Sequence, residues 1–230
     1  MFFIARFDII YVIMEQKINY NLEMENLIKD FDGTQTLLLH SCCGPCSTAV
    51  ITKLKDFFDI TILYYNPCIH PNDEYEKRLN EQIKFIEEIN KTLSRKIKII
   101  VPPHEPQTFF DYVQKVDNYE TEKEGGARCY ACYEQRLEYT SKLANDKGFD
   151  YYSTTLSVSP YKRSDWLNEI GLKLQSKSKY LVADFKKKDG YKLSITLSRQ
   201  YDLYRQNYCG CIYSYNEMKE YEEKNKKTGE

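Results

Sequence analysis

The sequence predicts an α/β fold, a doubly wound parallel sheet with flanking helices. Three observations carry this. Short apolar runs recur at 36–40, 59–66 and 96–102, each too brief for a helix and followed by turn residues. Helix-periodic segments separate them, so strand and helix alternate, which implies right-handed crossovers and parallel strands. The chain has 230 residues, 42% hydrophobic and 29% charged, a globular composition with core enough to need no covalent staples.

Each element has its own justification. TLLLH (36–40) reads as a buried strand, and STAVITKLKDFF after it suits a helix. DITILYYN (59–66) is a second strand ending before Pro67. Residues 73–94 make the strongest helix, with Asn72 or Asp73 as cap and Leu79, Ile83, Ile86, Ile89 and Leu93 at spacings of three and four. KIKIIVP (96–102) is the third strand, and FFDYVQKV (109–116) a short helix. A loop over 120–128 precedes a helix from Cys129 to about Asn145, with Leu137 and Leu143 inward and Gly148 past its end. DYYSTTLSVS (150–159) is a fourth strand and 165–175 a further helix. Asp189-Gly190 marks a turn in a polar, aromatic remainder.

The organisation expected is a single α/β catalytic domain over 31–215, preceded by an extension (1–30) and followed by a charged, frayed tail (216–230). MFFIARFDIIYVIM is apolar, but its 14 residues are too few to span a membrane and lack a small-residue cleavage site. Residues 1–13 read as a mis-assigned start or a loose terminal segment, with Met14 and Met24 as alternative starts.

The formal net charge is −1, which excludes a general nucleic-acid coat, since phosphate neutralisation needs clustered Lys and Arg. A local patch remains open at Tyr161-Lys162-Arg163 or at Lys186-Lys187-Lys188. With 21 Tyr and 11 Phe, stacking on splayed RNA bases is within reach of the composition.

Eight cysteines stand at 42, 43, 46, 68, 129, 132, 209 and 211. A domain this long does not need a disulfide framework, so metal or redox chemistry in a reducing cytoplasm is the expectation. Cys43-Gly44-Pro45-Cys46 lies between a strand and a helix, where backbone N–H groups favour thiolate. It is also the active sequence of thioredoxins, so a thioredoxin-like thiol–disulfide oxidoreductase is the rival reading. Cys129 and Cys132 open another helix and share a face. Cys46 and Cys129 are 83 positions apart, far wider than a zinc ribbon, although a structural zinc in a binding module stays open. Adjacent Cys42 and Cys43 argue for an iron–sulfur cluster, whose several irons can receive thiolates leaving in different directions. Cys209-Gly210-Cys211 would close only a small, strained ring, which points to an easily reduced, redox-active pair. His40 before the first motif, and Cys68 and His70 in NPCIHP, fall at predicted strand ends, where ligands bind in open α/β sheets. His104 reads as loop.

LLLHSCCGPCSTAVI, YYNPCIHPNDEYEKRLNEQIKF, GGARCYACYEQRLEYTSKLANDKGFDYYSTTLSVSPYK and YRQNYCGCIYS together resemble the QueH-type epoxyqueuosine reductases, over roughly 36–215. The resemblance implies a Rossmann-like fold of the nucleotide-hydrolase (HUP) kind with a Cys-containing C-terminal extension. It implies reduction of epoxyqueuosine to queuosine at the wobble position of tRNA, and an electron donor that the sequence does not identify. It also implies a [4Fe-4S] cluster on Cys42, Cys43, Cys129 and Cys132, an additional iron with Cys46 as its candidate ligand, and a redox-active Cys209–Cys211 pair. Tyr161, Lys162 and Arg163 are the expected RNA contacts.

Overall fold

The structure, a computed structural model, describes residues 18–228. Five strands form one sheet: β1 (Thr36–His40), β2 (Asp59–Leu63), β3 (Lys98–Ile100), β4 (Tyr151–Thr154) and β5 (Lys179–Tyr180). Their spatial order is β3-β2-β1-β4-β5 and every pair is parallel. The strand order therefore reverses between β1 and β4, the place where open α/β sheets hold ligands.

Strand alternation divides the core. Leu37 and Leu39 face one side, with Val50, Ile51 and Leu54 of α2 (Gly44–Leu54) and Phe85, Ile86 and Ile89 of α3 (Asn72–Asn90). Leu38 faces the other, with Tyr133 and Leu137 of α5 (Ala127–Lys147) and Leu167 and Ile170 of α6 (Ser164–Leu174). The short α4 (Gln107–Val113) follows β3 and buries Phe109 and Val113.

Several sequence boundaries move. The fourth strand stops at Thr154 instead of running to 159, because the Thr154 hydroxyl accepts the Leu156 N–H at 3.2 Å and turns the chain into a 3₁₀ segment over Thr155–Val158. The second strand ends at Leu63, before Tyr64-Tyr65-Asn66. The cap of the long helix is Pro71, with Asn72 and Asp73 already in its first turn, and Leu93 lies beyond its end.

Three helices stand where no helix was expected. The segment set apart as an extension contains α1 (Tyr20–Ile28), capped by the Asn19 side chain and docked through Met24 and Ile28, both in the core. Residues 1–13 lie outside the described residues. The Asp189-Gly190 turn opens α7 (Gly190–Gln200), whose buried face is Gly190, Ser194 and Ser198. Small polar residues let it approach α2 closely, and their hydroxyls bond back to backbone carbonyls. The tail expected to fray is helical instead, as α8 (Ile212–Thr228), where its Glu and Lys favour that state.

Candidate metal and redox centre

β1 delivers the first cysteines to the point where the strand order reverses. His40 ends the strand with both ring nitrogens engaged, Nδ1 to the Thr154 hydroxyl at 2.8 Å and Nε2 to the Tyr65 carbonyl at 3.1 Å. A carbonyl only accepts, so Nε2 carries the proton, and burial lowers the imidazole to about 4. His40 thus ties β1 to β4 and to the loop after β2. The Ser41 and Ser47 hydroxyls both donate to Gln82 Oε1 at 2.6 Å, which fixes the turn before α2 against α3. A Cβ at Gly44 would sit 2.7 Å from the Glu81 carbonyl oxygen, so glycine is what permits this approach.

Cys43 caps α2, with Pro45 in its first turn. The sulfurs of Cys42, Cys43 and Cys46 all lie within 4.8 Å of one another. Cys46, singled out for a separate iron, therefore joins the Cys42–Cys43 pair directly. Hydrogen bonds from the Cys42 and Cys46 thiols, helped by Arg78, hold Cys43 well below the ordinary thiol range. The same contacts push Cys42 up to about 11 and raise Cys46. Gln206 Nε2 also donates to the Cys43 sulfur at 3.2 Å.

Cys129 and Cys132 open α5 but stand outside that 4.8 Å group. The Gly125 N–H donates to Cys129 Sγ at 3.3 Å. Cys132 hydrogen-bonds Cys68, which lowers Cys68 to about 7 and raises Cys132. One turn on, Arg136 donates from Nε to the Cys132 carbonyl and from Nη2 to its sulfur at 3.2 Å. Arg136 is buried and forms no ion pair with a carboxylate among the described residues. Burial works against its charge, and Cys132, Cys68, Cys209 and Cys42 more than restore it. This guanidinium links the three cysteine motifs electrostatically.

The third motif comes from the segment between α7 and α8. Gly210 takes φ +127°, a conformation that favours glycine, and this turn sets Cys209 and Cys211 side by side. Arg78, only 1% exposed, donates to the carbonyls of Cys209 and Tyr208 and pairs with Glu74 at 2.6 Å. The His70 N–H donates to the Gly210 carbonyl at 2.7 Å, so the loop after β2 braces the pair through its backbone. The Cys211 thiol, then Lys162, hold Cys209 well below the ordinary range, and Cys211 is raised in turn.

A cleft of about 310 Å³ joins these groups, lined among others by Cys42, Cys46, Arg136, Lys162 and Cys209. Tyr161 stands at its rim, 75% exposed. Arg163 lies outside, pairing with Asp165 and stacking on Trp166 at 4.0 Å. Lys162 differs from expectation: it is buried, not displayed to solvent, and bonds Cys209 Sγ at 2.8 Å and Glu124 at 2.9 Å. In the lysine run, Lys186 pairs with Asp184 and Lys188 with Glu25, so much of its charge is answered locally. His104 stacks on Tyr75 and lines a separate pocket with Cys68 and His70. Sequence reading missed Arg78, Glu124, Arg136 and Gln206. Only Arg136 had a signal, four residues after Cys132 on the same helix face.

Thiols from three separated motifs, near where a parallel sheet reverses its strand order, mark a Rossmann-type α/β protein with a candidate cysteine-built metal or redox centre. The family model for epoxyqueuosine reductase QueH matches residues 37–217. The epoxyqueuosine reductase QueH of Streptococcus pyogenes serotype M1 is 39% identical, over 86% of this chain and 79% of its own length. That of Staphylococcus aureus is 40% identical over 86% and 85%, and that of Thermotoga maritima 31% over 80% and 93%. The chain belongs to the epoxyqueuosine reductase QueH family. Among solved structures, the U34-tRNA thiolase NcsA from Methanococcus maripaludis with its [4Fe-4S] cluster aligns over 85% of this chain and 67% of that one. Its TM-score is 0.46 at 14% identity, too distant to bear on function. The thioredoxin-like alternative is not favoured, since membership of this family accounts for all three cysteine motifs together.

Proposed function

We propose that this chain reduces epoxyqueuosine to queuosine at the wobble position of tRNA anticodons. Family membership carries the reading, and the thiol-lined cleft supports it. The donor set suits iron–sulfur ligation: it is all sulfur, largely buried, and faced by a guanidinium whose counter-charges include Cys132 and Cys42. Cys42, Cys43, Cys129 and Cys132 would hold a [4Fe-4S] cluster, and Cys46 would serve an additional iron. Bound there, these metals supply one-electron transfer and Lewis acidity toward the epoxide oxygen.

The chain's own residues do the rest. Cys209 and Cys211 give up two electrons and close to a disulfide. The epoxide takes those electrons and two protons, loses its oxygen as water and becomes an alkene. An electron donor then restores the dithiol. The wobble nucleotide enters the cleft extruded from its stack, and Tyr161, exposed at the rim, would stack on a base there. Contact with tRNA is local, in keeping with a net charge of −1. No helix among the described residues is long and apolar enough to cross a membrane, and reduced thiols acting on tRNA fit the cytoplasm.

Expression in a bacterial strain that makes epoxyqueuosine but lacks a reductase for it tests the reading. Nucleoside analysis of its tRNA should show queuosine replacing epoxyqueuosine. Persistent epoxyqueuosine with soluble, iron-loaded protein present would overturn the assignment.

A further inference from the structure

Among the described residues, Lys162 is the one buried lysine that meets a reacting atom. Its side chain is 8% exposed, its ammonium lies 2.8 Å from Cys209 Sγ and 2.9 Å from Glu124 Oε1, and all three residues line the cleft. Cys211 does not line it: its sulfur lies 3.4 Å from the Ser214 hydroxyl, packed toward Phe109 and Val113. The two sulfurs of the pair are therefore unlike. One faces the substrate space beside a cation, and the other faces protein.

We propose that Lys162 is a catalytic residue, the acid–base partner of Cys209: it holds that sulfur as thiolate in the reduced pair and carries one of the two protons that leave with the epoxide oxygen. The assignment rests on the epoxyqueuosine reading and on Cys209 and Cys211 as its dithiol. The protons balance as follows. The reduced site holds Cys209 thiolate, Lys162 ammonium and Cys211 thiol. Oxidation forms the sulfur–sulfur bond and releases two electrons, with one proton from Cys211 and one from Lys162. The epoxide consumes both electrons and both protons as its carbon–oxygen bonds break and the carbon–carbon double bond and water form. Lys162 is then a neutral amine. Reduction of the disulfide by two electrons and two protons returns one proton to Cys211 and one to Lys162.

The surroundings favour this exchange. Burial works against the charge on Lys162, and the Cys209 thiolate and the Glu124 carboxylate more than restore it while the thiolate is present. When Cys209 enters a disulfide, the closest of those anions disappears, and the ammonium becomes a better proton donor at the moment a proton is needed. Arg136 faces the same sulfur and keeps its charge throughout, so it can hold a thiolate but not deliver a proton.

Lys162→Met and Lys162→Arg separate the two roles. In the pre-reduced holoprotein without tRNA, alkylation of Cys209 by iodoacetamide at pH 7, read by peptide mass spectrometry, should slow severalfold in Lys162→Met, toward the limit of about 30-fold that separates a full thiolate from an ordinary thiol. Lys162→Arg should stay within about threefold of wild type. Both variants should lose about 10²-fold or more in kcat, with KM for tRNA and iron content little changed. Wild-type alkylation of Cys209 in Lys162→Met, or wild-type kcat in Lys162→Arg, would overturn the proposal. Alkylation is read without substrate, so the contrast can stand even if the chain fails to act on epoxyqueuosine.

Discussion

Cys209→Ser and Cys211→Ser should each reduce multiple-turnover formation of queuosine to the uncatalysed background, with iron content unchanged. A serine hydroxyl closes no disulfide, so the pair can no longer release two electrons. Neither residue belongs to the Cys42–Cys43–Cys46 group or opens α5, so the thiols expected to bind metal are untouched. The double variant should be no worse than either single one, because the two sulfurs act as a unit. Nucleoside mass spectrometry of the product, beside iron determination on each variant, checks this. The surviving thiols should also differ. In Cys211→Ser, Cys209 keeps its contact with Lys162 in the cleft and reacts quickly with a disulfide reagent, while Cys211, which does not line the cleft, reacts more slowly in Cys209→Ser. Undiminished turnover in either serine variant would remove the dithiol from the reaction.

Arg136→Met is expected to change stability in opposite directions with and without metal. In the metal-free chain the guanidinium is a buried cation with no carboxylate partner among the described residues. Without metal, Cys132 and Cys42 stay protonated, so they answer the guanidinium weakly, and an apolar side chain of similar volume should leave the apo-protein at least as stable. With metal thiolates in place the same cation faces fixed negative charge at Cys132 and Cys42, and its loss leaves that charge unanswered in a dry site. The cost there is about 3–5 kcal/mol, or about 10²–10⁴-fold faster iron loss to a chelator. Thermal unfolding of the apo-protein and chelation kinetics of the iron-loaded protein measure the two signs. Destabilisation of both forms alike would make Arg136 a packing residue only.

What could be read from the sequence follows a physical division. Strands β1, β2 and β3 were visible because each is a short apolar run with β-branched residues, and α3 because its apolar residues recur every three or four positions. Helix α7 was invisible because its buried face is Gly190, Ser194 and Ser198, which carry no apolar periodicity. Helix α1 was invisible because Met24 and Ile28 are its main anchors in a short polar segment. Strand β5, only Lys179–Tyr180, is too short to show a pattern. The cysteine motifs stood out by spacing, since spacing is what their chemistry requires. Their partners did not: Lys162 and Gln206 meet the thiols only through tertiary folding, across separations such as the 163 positions between Cys43 and Gln206. Lys162 is the instructive case. In sequence it is a lysine between a tyrosine and an arginine, which reads as a surface patch. Burial turns it inward, and burial is a property of the fold, not of the tripeptide.

A single-turnover stoichiometry tests the central claim most directly. Iron-loaded protein is reduced, freed of reductant and mixed anaerobically with a slight excess of tRNA carrying epoxyqueuosine, then quenched with an alkylating reagent. The account predicts one queuosine and one Cys209–Cys211 disulfide per active site. Queuosine formed while both thiols remain alkylatable, or disulfide formed without queuosine, would contradict it.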